Sequence, residues 1–469
     1  MASVYTYLHV RQKITIKKFT VIFTAILAVS SLLLTPSLFS PHHQSIVVAQ
    51  PYVETVKHRN LVIDLGNGLK TNAQLTIPAV GNGTFPGVLL VSGAGPTDMN
   101  YTQGFVSIDN KTGAKVYPPT FLFQIAEYLS ERGFAVLRYD KRGIGANHTF
   151  LDSNVWGNVT FNDLKQDAEK ALAVLAQQPE VDPNRITIIG HSEGGIITSR
   201  VALDNPDKFK NIVLMGTPAL NLVKDNAYLN YVYVPINYAQ NVLDKNHSGL
   251  VSVKEASEDP VFQGMVLDNS TLFIGHSNNS TGIDSAVNDT NTTNDTKISI
   301  NYELKPRLER QLEQYINELN TNNTNQSRML VKKCSFDIFR CPMWAKSHLL
   351  LPRTLSVIGN VSSNIGILTL MGENDAVQQA FLMQQRLTEV NHPDHTLITY
   401  PNLGHHFYPE KTLQTGVPSM PEPISEYVLA DLYSWLETHS GLAASYSSTR
   451  IANSSNSSTN VTASSASGK

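Results

Sequence analysis

The sequence has few cysteines, few charged residues and no excess of basic residues. Its 469 residues include two Cys, and 36 Lys and Arg stand against 39 Asp and Glu, which gives a formal net charge of −3 at pH 7. The lack of a basic surplus argues against nucleic acid as a partner. Two cysteines without a nearby pair of histidines argue against a zinc site. The apolar content is ample for a sizeable core.

The first 49 residues have the charge pattern of an export signal. Residues 1–18 carry four basic residues and no acid, and residues 19–39 are then predominantly apolar. This order predicts export, with small residues for cleavage at Val47-Val48-Ala49. The apolar run is also nearly long enough to remain as a membrane anchor. A secreted protein and an extracytoplasmic membrane-anchored protein therefore both stay open.

Two further features agree with export. Cys334 and Cys341 are close enough for a short-loop disulfide in an oxidising compartment, with two free thiols as the alternative. The acceptor pattern Asn-x-Ser/Thr occurs about eighteen times, a density that suits a glycosylated exterior surface. Examples are Asn82, Asn100, Asn147, Asn158, Asn246, Asn294, Asn360 and Asn460.

The stretch 186–197 contains the predicted nucleophile. A β-branched run leads into Gly190-His191-Ser192-Glu193-Gly194, and a helical sequence rich in small residues follows. This Gly-x-Ser-x-Gly pattern predicts a sharp turn from strand to helix that exposes the Ser192 hydroxyl. The next backbone N–H, that of Glu193, then lies at a helix N-terminus, where it can bind a developing oxyanion.

A second oxyanion donor is expected at the end of another predicted strand. The apolar run 85–91 ends at Ser92-Gly93-Ala94-Gly95-Pro96. Such a loop lets the backbone approach the substrate closely, and we assign the N–H to Ala94, with that of Gly93 as the near alternative.

The remaining catalytic groups follow the last two predicted strands. Asp375 comes after the strand 365–371 and is predicted to orient a histidine, with Glu373 as the runner-up. His405 and His406 lie in the loop after the final strand, 395–400, and His405 is the predicted base. The order serine, aspartate, histidine is that of the α/β-hydrolase arrangement.

The alternation of helices with wholly apolar strands predicts an α/β-hydrolase fold, with a largely parallel sheet covered on both faces. This alternation stops after Pro218 and resumes near residue 357, so the intervening segment is predicted to be an inserted cap, with an Asn/Thr-rich spacer at 278–296. The cap aromatics Tyr228, Tyr231, Tyr233 and Trp344 could line an acyl pocket or pack the cap itself. The predicted organisation is a leader at 1–49, core at 52–218, cap at 219–356, core at 357–440 and a disordered tail at 441–469.

Five motifs together resemble those of α/β-hydrolase esterases related to the serine aminopeptidase and dienelactone hydrolase group. The resemblance covers about residues 52–218 and 360–440, and it favours His405 over His406 as the base. The cap has no counterpart in it. The motifs are 92–96, 138–145, 190–195, 372–375 and 403–407.

These features predict a serine hydrolase, most simply a carboxylesterase, that acts on a small-molecule ester or amide. Such a mechanism needs no metal or organic cofactor. A peptidase of the same fold and a non-catalytic binding protein are the alternatives. The Glu193 carboxylate could favour cationic substrates, or it could be a solvated acid at a helix start. Lys141 and Arg142 could bind an anionic substrate, or they could hold their loop through local ion pairs.

Overall fold

The computed structural model describes residues 55–81, 83–103, 107–108, 115–116, 118–273, 296–320, 334, 338–375 and 377–442. All of them belong to one compact unit, Val53–Lys469. The predicted leader, nearly all of the Asn/Thr-rich spacer, the tail from residue 443 and the acceptors Asn82, Asn294 and Asn460 lie outside the described residues. Within the described ranges, no helix combines the length and apolar character that a membrane span requires.

Eight strands form the central sheet in the spatial order β1-β2-β4-β3-β5-β6-β7-β8. Strand β2 is antiparallel to both of its neighbours, and every other neighbouring pair is parallel. The prediction of a largely parallel sheet is therefore confirmed. The strands are β1 Val56–Gly66, β2 Leu69–Pro78, β3 Phe85–Val91, β4 Ala135–Tyr139, β5 Val181–His191, β6 Asn211–Met215, β7 Gly366–Gly372 and β8 His395–Tyr400.

Fifteen α-helices are described around and above this sheet. They are α1 Phe121–Ser130, α2 Ser153–Gly157, α3 Phe161–Ala176, α4 Glu193–Asp204, α5 Asn226–Tyr228, α6 Val234–Tyr238, α7 Val253–Glu258, α8 Pro260–Met265, α9 Asn269–Leu272, α10 Lys305–Asn320, α11 Pro342–Leu349, α12 Thr354–Ile358, α13 Val377–Glu389, α14 Thr412–Thr415 and α15 Glu426–His439.

The wholly apolar strands contribute side chains to two separate hydrophobic cores, because alternate side chains point to opposite faces of a sheet. In β3, Val88 and Leu90 pack in the cluster that contains α1 and α15. Leu89 and Val91 pack in the other cluster, with α3, α4 and the cap. Burial on both faces explains why these strands show no polar alternation.

Strand β5 contains an irregularity near its start. Val181 and Asp182 pair with Phe85 and Pro86 of β3. The register then shifts, so that Gly87 pairs with Ile186. The extra residues 183–185 bulge out of the ladder, which accommodates Pro183 and its missing N–H.

The segment predicted as a cap is inserted between β6 and β7. Its described part is largely helical and includes α5–α12, together with a short antiparallel ladder of Leu250–Ser252 with Lys297–Ser299. The two ends of the insertion meet, since the Leu355 N–H donates to the Ala219 carbonyl at 2.8 Å. The core on one face of the sheet continues into this segment without a break.

Candidate active site

Ser192 lies on a strained turn between β5 and α4. Its φ of +54° and ψ of −118° fall in a region that a residue with a Cβ rarely adopts. The Ser192 N–H donates to the Met215 carbonyl at 2.8 Å, which ties the turn to the end of β6. A backbone strained in this way persists only where its surroundings enforce it, and such places cluster at functional sites.

Close contacts around the turn explain its glycines. A Cβ at Gly190 would lie 2.2 Å from the Gly194 carbonyl oxygen, and one at Gly194 would lie 2.1 Å from the Val91 carbonyl oxygen. Both contacts are with backbone, which cannot rotate away. Glycines are therefore required at positions 190 and 194, because the start of α4 packs directly against the backbone of β3 and β5.

The structure brings the predicted aspartate and histidine together. His405 Nδ1 lies 2.9 Å from Asp375 Oδ2, and both residues line the same pocket as Ser192. Burial opposes protonation of His405, but the neighbouring Asp375 carboxylate outweighs it, so the pKa of His405 is raised. The alternative acid, Glu373, is exposed and faces Thr399, with 3.4 Å between Thr399 Oγ1 and Glu373 Oε1.

Two interlocked loops hold this pair. The Asn374 N–H donates to the Leu403 carbonyl at 2.9 Å, and the Glu373 N–H donates to the Tyr400 carbonyl at 2.9 Å. A Cβ at Gly372 would lie 2.3 Å from the Leu403 carbonyl oxygen. Only a glycine at the end of β7 allows the histidine loop to approach this closely.

His406 and His191 form an aromatic support behind His405. His191 Nε2 lies 3.0 Å from the His405 carbonyl oxygen, and His406 packs against Tyr101 and Phe121. Burial lowers the pKa of both His191 and His406, which keeps them neutral at pH 7. The geometry thus pairs Asp375 with His405, while the roles of these groups in catalysis remain predictions.

The loop predicted to supply an oxyanion donor lies directly against Ser192. A Cβ at Gly93 would lie 3.1 Å from Ser192 Cβ and 2.7 Å from Tyr101 Oη. Ala94 lines the pocket. Glu193 is the first residue of α4, so its N–H is among those that a helix leaves without an intrahelical acceptor.

Asp98 orders the loop that follows the predicted oxyanion segment. Its carboxylate accepts hydrogen bonds from the Thr102 N–H at 3.0 Å, the Thr102 hydroxyl at 2.8 Å and the Asn147 N–H at 2.9 Å.

The Glu193 side chain contradicts both expectations for it. It is 0% exposed and does not line the pocket, so it is neither a solvated acid nor a substrate contact. Burial opposes its ionisation, yet Lys141 and His348 outweigh that effect and lower the pKa of Glu193 to about 2. Lys141 and Arg142 hold their loop through ion pairs, with Arg142 bound to Asp163 and Asp167.

The pocket over Ser192 has a volume of about 640 Å³, a size typical of small-molecule sites. Sequence reasoning missed its apolar wall. Of the proposed cap aromatics, Tyr231 and Trp344 are buried in the core and Tyr228 is not among the lining residues; Tyr233 lines an adjoining cleft. The apolar side chains that line the pocket are Leu222, Leu229, Val234, Ile338, Phe339 and Leu413.

The charge of the pocket wall is uneven. Among the described residues that line it, none is Lys or Arg, whereas Asp375 and Glu410 are both present. One carboxylate oxygen of Glu410 is buried and has no hydrogen-bond partner in the described part of the chain. In the same part, no group of three or more His, Cys, Asp or Glu side chains is arranged to hold a metal ion.

Comparisons with known proteins agree with this architecture. A family model described as serine aminopeptidase, S33, matches residues 120–319, which include Ser192. Esterase EstD of Thermotoga maritima is 33% identical over 154 residues, which amount to 33% of this chain and 31% of the esterase. The match thus spans about a third of the length of that relative.

Solved structures with similar folds include enzymes of several specificities. The proline iminopeptidase of Mycobacterium smegmatis has a TM-score of 0.43 and 14% identity, over 82% of this chain and 100% of that one. Est1E of Butyrivibrio proteoclasticus, with ferulic acid bound, has a TM-score of 0.40 and 13% identity, over 81% and 98% of the two chains.

Proposed function

We propose that this chain, which has an α/β-hydrolase fold, hydrolyses carboxylic esters, with Ser192 as the nucleophile and an acyl-enzyme intermediate. The observation that carries the proposal is the pairing of Asp375 with His405 in the pocket that also contains Ser192. The esterase activity of a relative with 33% identity over the matched region supports esters over other substrates.

In this mechanism His405 accepts the hydroxyl proton of Ser192 as the oxygen attacks the ester carbonyl. Asp375 binds the Nδ1–H of His405, which leaves Nε2 free as the base, and it stabilises the imidazolium that forms. The N–H groups of Ala94 and Glu193 bind the oxyanion. His405 then protonates the leaving alcohol, and water activated by the same histidine releases the acid and regenerates Ser192.

The pocket wall favours neutral or cationic substrates. An anionic acyl chain would meet Glu410 without a lysine or arginine among the described lining residues to offset the repulsion. We expect an ester with a carboxylate at the end of its acyl chain to be hydrolysed more slowly than a neutral ester of equal length. Steady-state kcat/KM for the two esters measures this difference.

The central test is turnover of a p-nitrophenyl ester series beside aminoacyl and peptidyl nitroanilides. Ester hydrolysis should fall by more than about 10³-fold in Ser192→Ala, because the nucleophile is lost. A fluorophosphonate should label the wild type and not this variant. Ser425→Ala, at the start of α15, is a control that should retain full activity.

Other results would favour the alternatives. Nitroanilide turnover that exceeds ester turnover would identify a peptidase on the same fold. If the folded wild type showed neither turnover nor labelling, the proposal would be wrong, and a binding protein would be the remaining interpretation.

A further inference from the structure

A cluster of four buried polar side chains lies beside the nucleophile turn. Lys141, Glu193, Trp344 and His348 are each at most 4% exposed, and none of them lines the pocket. Charged groups are buried at a considerable cost in desolvation, so such a cluster calls for an explanation. The proposed mechanism leaves all four side chains unused.

Lys141 contacts both segments that carry the proposed oxyanion donors. Its ammonium lies 2.6 Å from Glu193 Oε2 and also donates to the Gly93 carbonyl oxygen at 2.5 Å. That carbonyl and the Ala94 N–H belong to the same planar peptide, so fixing the oxygen also fixes the direction of the N–H. A cation on the oxygen further polarises the peptide and strengthens its N–H as a donor.

Glu193 links the second donor to the same ammonium. Its backbone N–H is the other proposed oxyanion donor, and its carboxylate is the partner of Lys141. One ion pair therefore spans the gap between the Gly93–Ala94 peptide and the start of α4. Any change in the position of Lys141 would alter the separation of the two N–H groups.

The cap supplies the rest of the cluster. Trp344 Nε1 donates to Glu193 Oε1, and His348 Nε2 lies 2.8 Å from the same oxygen. The two rings stack with their centroids 4.0 Å apart, and both residues belong to α11. Among the described residues, the side chains in contact with Glu193 Oε1 are thus Trp344 and His348, and both belong to the inserted segment.

We propose that Lys141, Trp344 and His348 are positioning residues that act through the Glu193 carboxylate and the Gly93–Ala94 peptide to align the two oxyanion donors. This inference rests on the proposed function. In consequence, the oxyanion site is complete only when α11 is docked on the nucleophile turn. A substrate that binds in the pocket over Ser192 without displacing α11 therefore finds both oxyanion donors aligned.

The test compares Lys141→Met and Trp344→Phe with a matched control, Arg142→Met. Arg142 is the next residue and forms partly buried ion pairs with Asp163 and Asp167 of α3 rather than with Glu193. Lys141→Met should lower kcat for a p-nitrophenyl ester by about 10²-fold with KM changed less than about threefold, as expected for loss of an interaction made in the transition state. Trp344→Phe keeps an aromatic ring, although a smaller one, and removes the hydrogen-bond donor, and it should lower kcat by about tenfold. Arg142→Met should lower Tm and leave kcat within about twofold.

A second measurement separates alignment from general damage. A trifluoromethyl ketone, which forms a tetrahedral adduct with Ser192, should lose affinity in each variant by the same factor as kcat/KM. Unchanged kcat in folded Lys141→Met would overturn the inference. If that variant does not fold, unchanged kcat in Trp344→Phe overturns it instead. Absence of Ser192-dependent turnover in the wild type would overturn the proposed function itself. The positioning role of Lys141, Trp344 and His348 would then fall as well.

Discussion

At the scale of single residues, the charges around His405 determine its protonation. Asp375 is its direct partner, and Glu410 adds a second negative charge from the pocket wall, which also raises the pKa of His405. A base must be unprotonated to accept a proton, so activity should rise with pH through the pKa of His405. This rise is the acid limb of the pH profile. Because the pKa of His405 is raised, the acid limb lies at higher pH than it would for an isolated histidine.

Glu410→Gln should therefore move the acid limb of kcat/KM to lower pH. The substitution removes one of the charges that favour the imidazolium and keeps the shape of the side chain. The pH profile of ester hydrolysis measures the shift. Glu426→Gln, on the exposed face of α15, is the control and should leave the profile unchanged. A profile unaltered by Glu410→Gln would show that this carboxylate does not act on His405.

At the scale of an element, the strand–turn–helix that carries Ser192 depends on backbone contacts that exclude any side chain. Gly194→Ala would push α4 away from β3, because the added methyl group would lie 2.1 Å from the Val91 carbonyl oxygen. We expect a loss of about 2–4 kcal/mol in the free energy of unfolding, with a fall in kcat as the turn shifts.

Urea unfolding and ester turnover of the same preparations measure both effects. Gly264→Ala is the matched control, since a Cβ at this helical glycine meets nothing within 4 Å. Alanine is the better helix former, so this control should be neutral or more stable by up to about 1 kcal/mol. Equal stability of the two variants would contradict the packing explanation.

The strand–turn–helix was predicted from the sequence, but the contacts of the Glu193 side chain were not. Gly190, Ser192 and Gly194 form a local pattern, because the turn is made by consecutive residues. The partners of Glu193 come from positions 141, 344 and 348, which only the folded chain brings together. No spacing in the sequence relates them.

At the scale of the whole molecule, we propose that the protein is exported and glycosylated. Cys334 and Cys341 are joined in a disulfide, as expected for an oxidising compartment. Four predicted acceptors, Asn147, Asn158, Asn246 and Asn360, are exposed. Asn100 differs, since its side chain is bound to Arg138 and is only partly exposed.

Intact mass and N-terminal sequencing of protein isolated from its source would test export. Cleavage after Ala49 should leave Gln50 as the first residue, and glycan removal should lower the mass. Reduction and alkylation should reveal two cysteines that are blocked before treatment. An unmodified protein that begins at Met1 and has free thiols would contradict the proposal.

The sequence by itself determined the alternation of strands and helices in the core and the turn at Ser192. It also determined the candidates Asp375 and His405. The turn is recognisable from consecutive residues, and each of these two candidates is recognisable from its position just past a predicted strand. Only the tertiary structure decided which acid meets which histidine, that Glu193 is buried, and that Leu222, Ile338 and Phe339 line the pocket. The physical reason is that those relations join residues far apart along the chain, and they depend on how the inserted segment packs over the sheet.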